Sequence, residues 1–139
     1  MALFRCDILT PYRRLLNGEV ESLQFVTHDG EMVVLAGHES VAAPVKSCVM
    51  RVRLPEGVNI VAAADGFITV NPDRAEVFLD AAEFAQEIDS KRAEDALARA
   101  EKRLAEGSVS WELRRATAAA TRARVRLAAV KAHKERKEA

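Results

Sequence analysis

A chain of 139 residues, 49% of them hydrophobic, holds one compact domain of ordinary size plus an appendage and leaves no room for a second full domain. Its formal charge of zero hides an asymmetry: residues 1–110 carry 12 Lys or Arg against 18 Asp or Glu, while residues 111–139 carry 9 against 3. A net of about −6 gives way to about +6, which excludes a uniformly basic nucleic-acid binder and points to a C-terminal arm seeking an acidic partner.

Two cysteines, Cys6 and Cys48, sit in apolar strand-like stretches. They are too few to staple a secreted fold and read as buried free thiols of a reducing compartment. No apolar run approaches the roughly 20 residues that span a bilayer, so the chain is expected to be soluble or peripheral to something larger. His28, His38 and His133 are dispersed, and no metal-ligand spacing, nucleophile motif or phosphate-binding glycine loop occurs. The expectation is a non-catalytic protein with no metal and no required cofactor.

From Leu3 to Leu79 short segments of period-two alternation are separated by turn residues, the pattern of an antiparallel β-domain. Leu3–Leu9 is the first predicted strand, stopped by Thr10-Pro11. Glu19–Thr27 is a longer one with Leu23 and Phe25 on one face, closed by the turn His28-Asp29-Gly30. Met32–Leu35 follows, interrupted by Ala36-Gly37-His38, and Val45–Leu54 runs to Pro55-Glu56-Gly57. Val58–Ala64 is next, with Asp65-Gly66 predicted as a hairpin turn, and Asn71-Pro72-Asp73 separates Phe67–Val70 from Ala75–Leu79. Eight or so strands in this length predict a sandwich or flattened barrel.

Beyond Leu79 the texture turns to Ala, Glu, Arg and Leu without proline, and two helices are predicted from Asp89 onward, broken at Glu106-Gly107-Ser108. Asp89 or Ser90 caps the first and Ser110 the second, where Glu112 in the first turn suits the helix dipole. The short connection makes the pair antiparallel. Ala93, Leu97, Ala100 and Leu104 form one apolar stripe; Leu113, Ala116, Ala120, Ala123, Leu127 and Val130 form another, so the helices can zip together. Alanine has little surface to bury, so this seam is weaker than one of leucine. The fold class is therefore α+β: a β-sandwich over residues 1–85 and an antiparallel helical hairpin over 86–139.

Arg92 and Arg99 lie two turns apart on the first helix, and Arg115, Arg122 and Arg126 cluster on one side of the second. From Leu113 to Lys134 no acid occurs, so Arg114, Arg115, Arg122, Arg124 and Arg126 have no partner within their helix. Closing the hairpin brings these charges together, and the planar guanidinium fork suits phosphate oxygens. A solvated charged face in salt accounts for the same spacing.

Three motifs then carry a resemblance over essentially the whole chain. Gly30-Glu31 followed by Val34-Leu35-Ala36-Gly37-His38, the segment Gly66-Phe67-Ile68-Thr69-Val70-Asn71-Pro72, and Ile88-Asp89-Ser90-Lys91-Arg92-Ala93 together resemble the epsilon subunits of F-type rotary ATP synthases, the last motif being similar to that of bacterial ATP-binding members. The resemblance implies a central-stalk subunit of a proton-translocating enzyme, peripheral to the cytoplasmic side of a bacterial inner membrane and without membrane insertion. Its partners would be the gamma subunit, the membrane rotor ring and the catalytic beta and alpha subunits. It implies a hairpin that closes on ATP, extends when ATP is low and then inhibits ATP hydrolysis. ATP would be a regulatory ligand held by Glu83, Ile88, Asp89 and Ala93 around adenine and ribose, with Arg92, Arg99, Arg122 and Arg126 near the phosphates. Glu31 and His38, in a loop at the foot of the sandwich, would touch the rotor ring. The free second helix, of about 22 residues and roughly 33 Å, would offer its arginines to an acidic segment of a catalytic subunit.

Ala36 stands where the family usually has proline, Ala64-Asp65 where it has Ser-Gly, and Phe84 where ATP-binding members often have arginine. Phe84 is expected to finish the β-domain core, with stacking on a base as the other reading. The alternative is a non-catalytic adapter whose basic helix binds nucleic acid or another acidic partner, although it has no aromatic platform for bases. A membrane-surface helix has less support, since Trp111 is the second helix's only aromatic anchor.

Overall fold

A computed structural model describes residues 2–107 and 109–138. Ten strands come first: β1 (Phe4–Leu9), β2 (Arg14–Val20), β3 (Ser22–Thr27), β4 (Gly30–Leu35), β5 (Val41–Val45), β6 (Cys48–Leu54), β7 (Gly57–Ala63), β8 (Gly66–Asn71), β9 (Arg74–Leu79) and β10 (Ala82–Phe84). A single 3-10 turn (Ala85–Glu87) leads to α1 (Ser90–Ala105) and α2 (Ser110–Glu138). The strands form two five-stranded sheets, in the orders β2-β1-β9-β8-β5 and β10-β7-β6-β3-β4. All pairings are antiparallel except β1 with β9.

Alternating side chains of both sheets meet between the layers, as a sandwich requires. Ile8, Leu23, Phe25, Met50, Val52, Val61, Ile68 and Val77 are fully buried there. Both cysteines are free and buried; desolvation pushes the Cys6 thiol up to about 12 and raises that of Cys48. Phe84 packs against this same core. Asp7 is the one buried charged residue among those described, and its Oδ2 accepts from Nη2 of Arg74 at 3.1 Å across the parallel β1–β9 pair.

Three expectations about the strands are corrected. Glu19–Thr27 is two strands, β2 and β3, in different sheets, with the change of sheet at Glu21; residues 14–18 also belong to β2 and lie outside the predicted strand. Val45–Leu54 is likewise divided at Lys46-Ser47 into β5 and β6 of opposite sheets. Asp65-Gly66 is not a hairpin turn, because β7 and β8 lie in opposite sheets. It is a corner, where the Asp65 carboxylate accepts from the N–H and Oγ of Ser47 at 2.7 and 2.9 Å and so ties two crossings together. Gly66 is required for close approach: a Cβ there would lie 1.9 Å from the carbonyl oxygen of Phe78.

The turns at His28-Asp29, Pro55-Glu56 and Pro72-Asp73 do join paired strands. β10 lies beyond the predicted strands; it pairs with β7 and carries the chain off the sandwich toward the helices.

Asp89 is the N-cap of α1, its Oδ1 accepting the Arg92 N–H at 3.1 Å. Gly107, at φ 66°, follows the last turn in the left-handed conformation that glycine adopts without strain. Ser108 and the capping side chain of Ser110 lie outside the described residues. The seams form as patterned: Ala93 and Ala100 of α1 and Ala116, Ala120 and Ala123 of α2 are buried, with the leucines half-buried. α2 has 29 residues rather than about 22, which makes it about 44 Å long.

Candidate functional site

The helical arm is held to the sandwich by a second buried stripe on α2. Ala129 and Ala132, with Val125 beside them, cover Ile60 and Ala62 of β7 and Ala85 of the 3-10 turn, a cluster separate from the sandwich core. Ile88 packs on its edge. β7 offers this patch because its central residues are apolar on both faces, one toward the core and the other toward the helix.

Polar groups gather at the upper margin of that contact. Register sets Glu83 of β10 opposite Ala62, and from there it meets Arg126 of α2, with Nε 2.5 Å from Oε1 and Nη2 3.4 Å from Oε2. The pair is about two-thirds buried on each side. Around it opens a cleft of about 270 Å³ whose polar lining is Arg13, Glu83, Arg122 and Arg126, over a floor of alanines from β7 and β10. Arg122, one turn before Arg126, is exposed and also borders a neighbouring cleft with Lys46, Asp65 and Asp80.

Arg13, from the turn between the paired strands β1 and β2, grips Glu87 with two hydrogen bonds of 3.0 Å and donates to the Ala82 carbonyl at 3.3 Å. The hydrogen bonds from Arg13, and then from the Phe84 N–H, hold the Glu87 carboxyl below its ordinary value, while the Arg13 guanidinium is raised by the same bond. This clamp fixes β10 and the 3-10 turn, the segment that presents Glu83. Nothing in the local sequence marks Arg13 for this cleft, since its partner lies 74 residues away.

Of the eight residues assigned to nucleotide, the fold therefore brings Glu83, Arg122 and Arg126 into one cleft and sets Ile88 at the edge of the adjoining apolar contact. Asp89 is engaged as a helix cap and Ala93 is fully buried in the hairpin seam. Arg92 and Arg99 are exposed on α1 and line neither cleft that holds Arg122. Glu31 is the second residue of β4 rather than part of a loop, paired with Val26. His38 lies three residues past the other end of that strand, its Nδ1 2.8 Å from the Glu39 carbonyl oxygen. The two are thus at opposite ends of β4 and do not meet.

Among the described residues no group of His, Cys, Asp or Glu is placed to hold a metal ion, and no helix is long and apolar enough to cross a membrane. The arrangement is a β-sandwich carrying a helical hairpin on one sheet, with a cationic cleft at their junction. Its family follows from the sequence matches. Residues 3–85 match the model of the ATP synthase delta/epsilon chain β-sandwich domain, and residues 86–131 that of the delta/epsilon chain long α-helix domain. An ATP synthase epsilon chain of Ruminiclostridium cellulolyticum is 36% identical over 129 residues, covering 93% of this chain and 96% of that one. The epsilon chain of Bacillus cytotoxicus is 37% identical, with 91% and 96% covered. The chain belongs to the ATP synthase delta/epsilon family, among its epsilon chains. Its fold is similar to a chain in the structure of the Euglena gracilis mitochondrial ATP synthase, OSCP/F1/c-ring, at a TM-score of 0.82 and 22% identity, covering 94% of this chain and 82% of that one.

Proposed function

We propose that this chain is a non-catalytic subunit of the central stalk of a rotary, proton-translocating ATP synthase, seated by its sandwich between the gamma subunit and the membrane rotor ring on the cytoplasmic side of a bacterial membrane. His38 and Glu31 serve as contacts to the ring, from opposite ends of β4. The hairpin is a regulatory arm: docked as seen here, it leaves the catalytic alpha and beta subunits free; extended, it carries the arginines of α2 toward them and inhibits ATP hydrolysis.

The observation that carries the switch is the place of the Glu83–Arg126 cleft. One wall is sandwich and the other is α2, so a ligand held there exists only in the docked state and stabilises it by RT ln(1 + [L]/Kd), about 2.7 kcal/mol at a hundredfold excess over Kd. ATP is the proposed ligand, its phosphates taken by Arg122 and Arg126 and its adenine toward Ile88 and Glu83. Phosphate oxygens entering the cleft compete with Glu83 for Arg126, which frees Glu83 to accept from the base. Arg92 and Arg99 join only if their side chains swing in from α1.

Calorimetric titration of the full chain with ATP, with ADP and salt as controls, tests this reading. Saturable binding that prefers ATP and is weakened about tenfold or more by Arg126→Ala, but not by Arg114→Ala, is expected. Equal effects of the two substitutions, or no binding at millimolar ATP, reject the nucleotide switch while leaving the stalk assignment to copurification with a gamma subunit.

A further inference from the structure

Ten residues beyond Arg126, or about 15 Å along α2, a second basic cleft of about 310 Å³ separates the helix from the sheet. Arg51 and Arg53 of β6 line it because they alternate with buried Met50 and Val52 and so project from the outer face. The β3–β6 register sets Gln24 opposite Arg51 and Ser22 opposite Arg53, both in the same lining. Arg136 closes it from the last turns of α2. Its Nη1 would stand 3.8 Å from a Cβ at Gly57, over the β6–β7 turn, and its Nε is buried without a hydrogen-bond partner among the described residues.

Arg13, Arg74 and Arg126 each have a carboxylate. Among the described residues Arg51, Arg53 and Arg136 form no ion pair, and the one acid that lines the cleft, Glu135, is exposed. Three guanidinium groups with the amide of Gln24 and hydroxyl of Ser22 make a set of donors with a surplus of positive charge. Folding alone gains nothing from converging like charges, whereas their planar forks take two oxygens each from a tetrahedral oxyanion.

We propose that this cleft is a binding site for a phosphate-class oxyanion, built jointly by β3, β6 and the end of α2 and distinct from the Glu83–Arg126 cleft. Undocking α2 removes Arg136 and leaves the two β6 arginines on an open sheet. The anion therefore fastens the distal end of the docked arm, where the seam with α1 no longer reaches, and it does so whether or not nucleotide binds at the other cleft.

Titration of the full chain with pyrophosphate and with inorganic phosphate, at constant ionic strength in chloride, tests the site. Saturable binding is expected, weakened about tenfold or more by Arg51→Ala and by Arg136→Ala, weakened less in Arg126→Ala, which removes only a contact that helps hold α2 docked, and changed by less than about twofold in Arg114→Ala, an exposed residue that lines neither cleft. Pyrophosphate is also expected to protect α2 of Arg126→Ala from trypsin. An ATP arm in Arg126→Ala identifies the source: tighter pyrophosphate means a free inorganic anion and tighter ATP a nucleotide tail, both at this site. Absence of saturable binding, or a loss in Arg126→Ala as large as in Arg51→Ala and Arg136→Ala, overturns the proposal.

Discussion

Ala129→Glu separates the arm from the sandwich without touching the sandwich core. Ala129 is fully buried against Ile60, Ala62, Ala85 and Ala132. Burying Ile60 contributes about 1.5–3 kcal/mol and each of the four alanine methyls about 0.8, so these side chains supply at most about 6 kcal/mol. A carboxylate forced into it would have its pKa raised by about 3–5 units, equivalent to about 4–7 kcal/mol. The penalty is comparable to everything these side chains supply, so most of the docking energy is lost and the helix leaves rather than buries the charge. Trypsin digestion should then cut at the α2 arginines at least about tenfold faster than in the wild type, since loss of about 2 kcal/mol or more of docking raises the open population by over tenfold. The β-sheet circular dichroism and the sandwich melting transition should persist. Ala128→Glu, one position around on the exposed face, is the control and should behave as wild type. An Ala129→Glu protein as resistant as the control would refute the docked contact as the arm's main apolar anchor.

Other consequences can be measured on the purified chain. Gly66→Ala places a methyl 1.9 Å from the Phe78 carbonyl oxygen and 2.8 Å from Leu79 Cα. Backbone must shift to admit it, and a cost of about 3 kcal/mol, at the top of the overpacking range, should lower Tm by about 10 °C in calorimetry. Arg74→Ala leaves the Asp7 carboxylate buried with neither oxygen partnered, and chemical denaturation should show a loss of about 3–5 kcal/mol that Asp7→Asn in the same background partly restores. The Glu87 carboxyl, held below its ordinary 4.5 by Arg13, contributes stability above that value. This contribution is lost as pH falls through the lower folded-state pKa. Because the pair is about 40% exposed it amounts to under about 1 kcal/mol, and Arg13→Ala should flatten the acid limb of a stability–pH curve below pH about 4.5 while leaving the neutral plateau lowered by that amount.

Much of the architecture is fixed within short stretches of sequence. Alternation places Leu23 with Phe25 and Met50 with Val52 in the core. Asp89 caps a helix start and Gly107 supplies the left-handed residue after its end. The alanine and leucine spacing draws the hairpin seam, because each of these depends on backbone periodicity or on a side chain bonding its own neighbourhood. The family is legible for the same reason, since its motifs are local runs.

What only the tertiary structure decides is which local runs meet. Glu21, Lys46-Ser47 and Asp65-Gly66 change sheet while His28-Asp29 turns back within one, and short polar or glycine-containing breaks look alike in sequence whichever sheet the next strand joins. Asp65 answers Ser47, and Gly66 answers the Phe78 carbonyl, only once both sheets are stacked. α2 is so rich in alanine that Ala129 and Ala132 cannot be told by composition from exposed Ala128; packing on β7 selects them. The arginines divide in the same way. The absence of acids from Leu113 to Lys134 shows that the arginines there need partners elsewhere, but the pairing of Arg126 with Glu83, the arrival of Arg13 at the same cleft and the meeting of Arg136 with Arg51 and Arg53 follow from docking. Coulomb interactions act through space, and the distances are set by how the helix lies across the sheet.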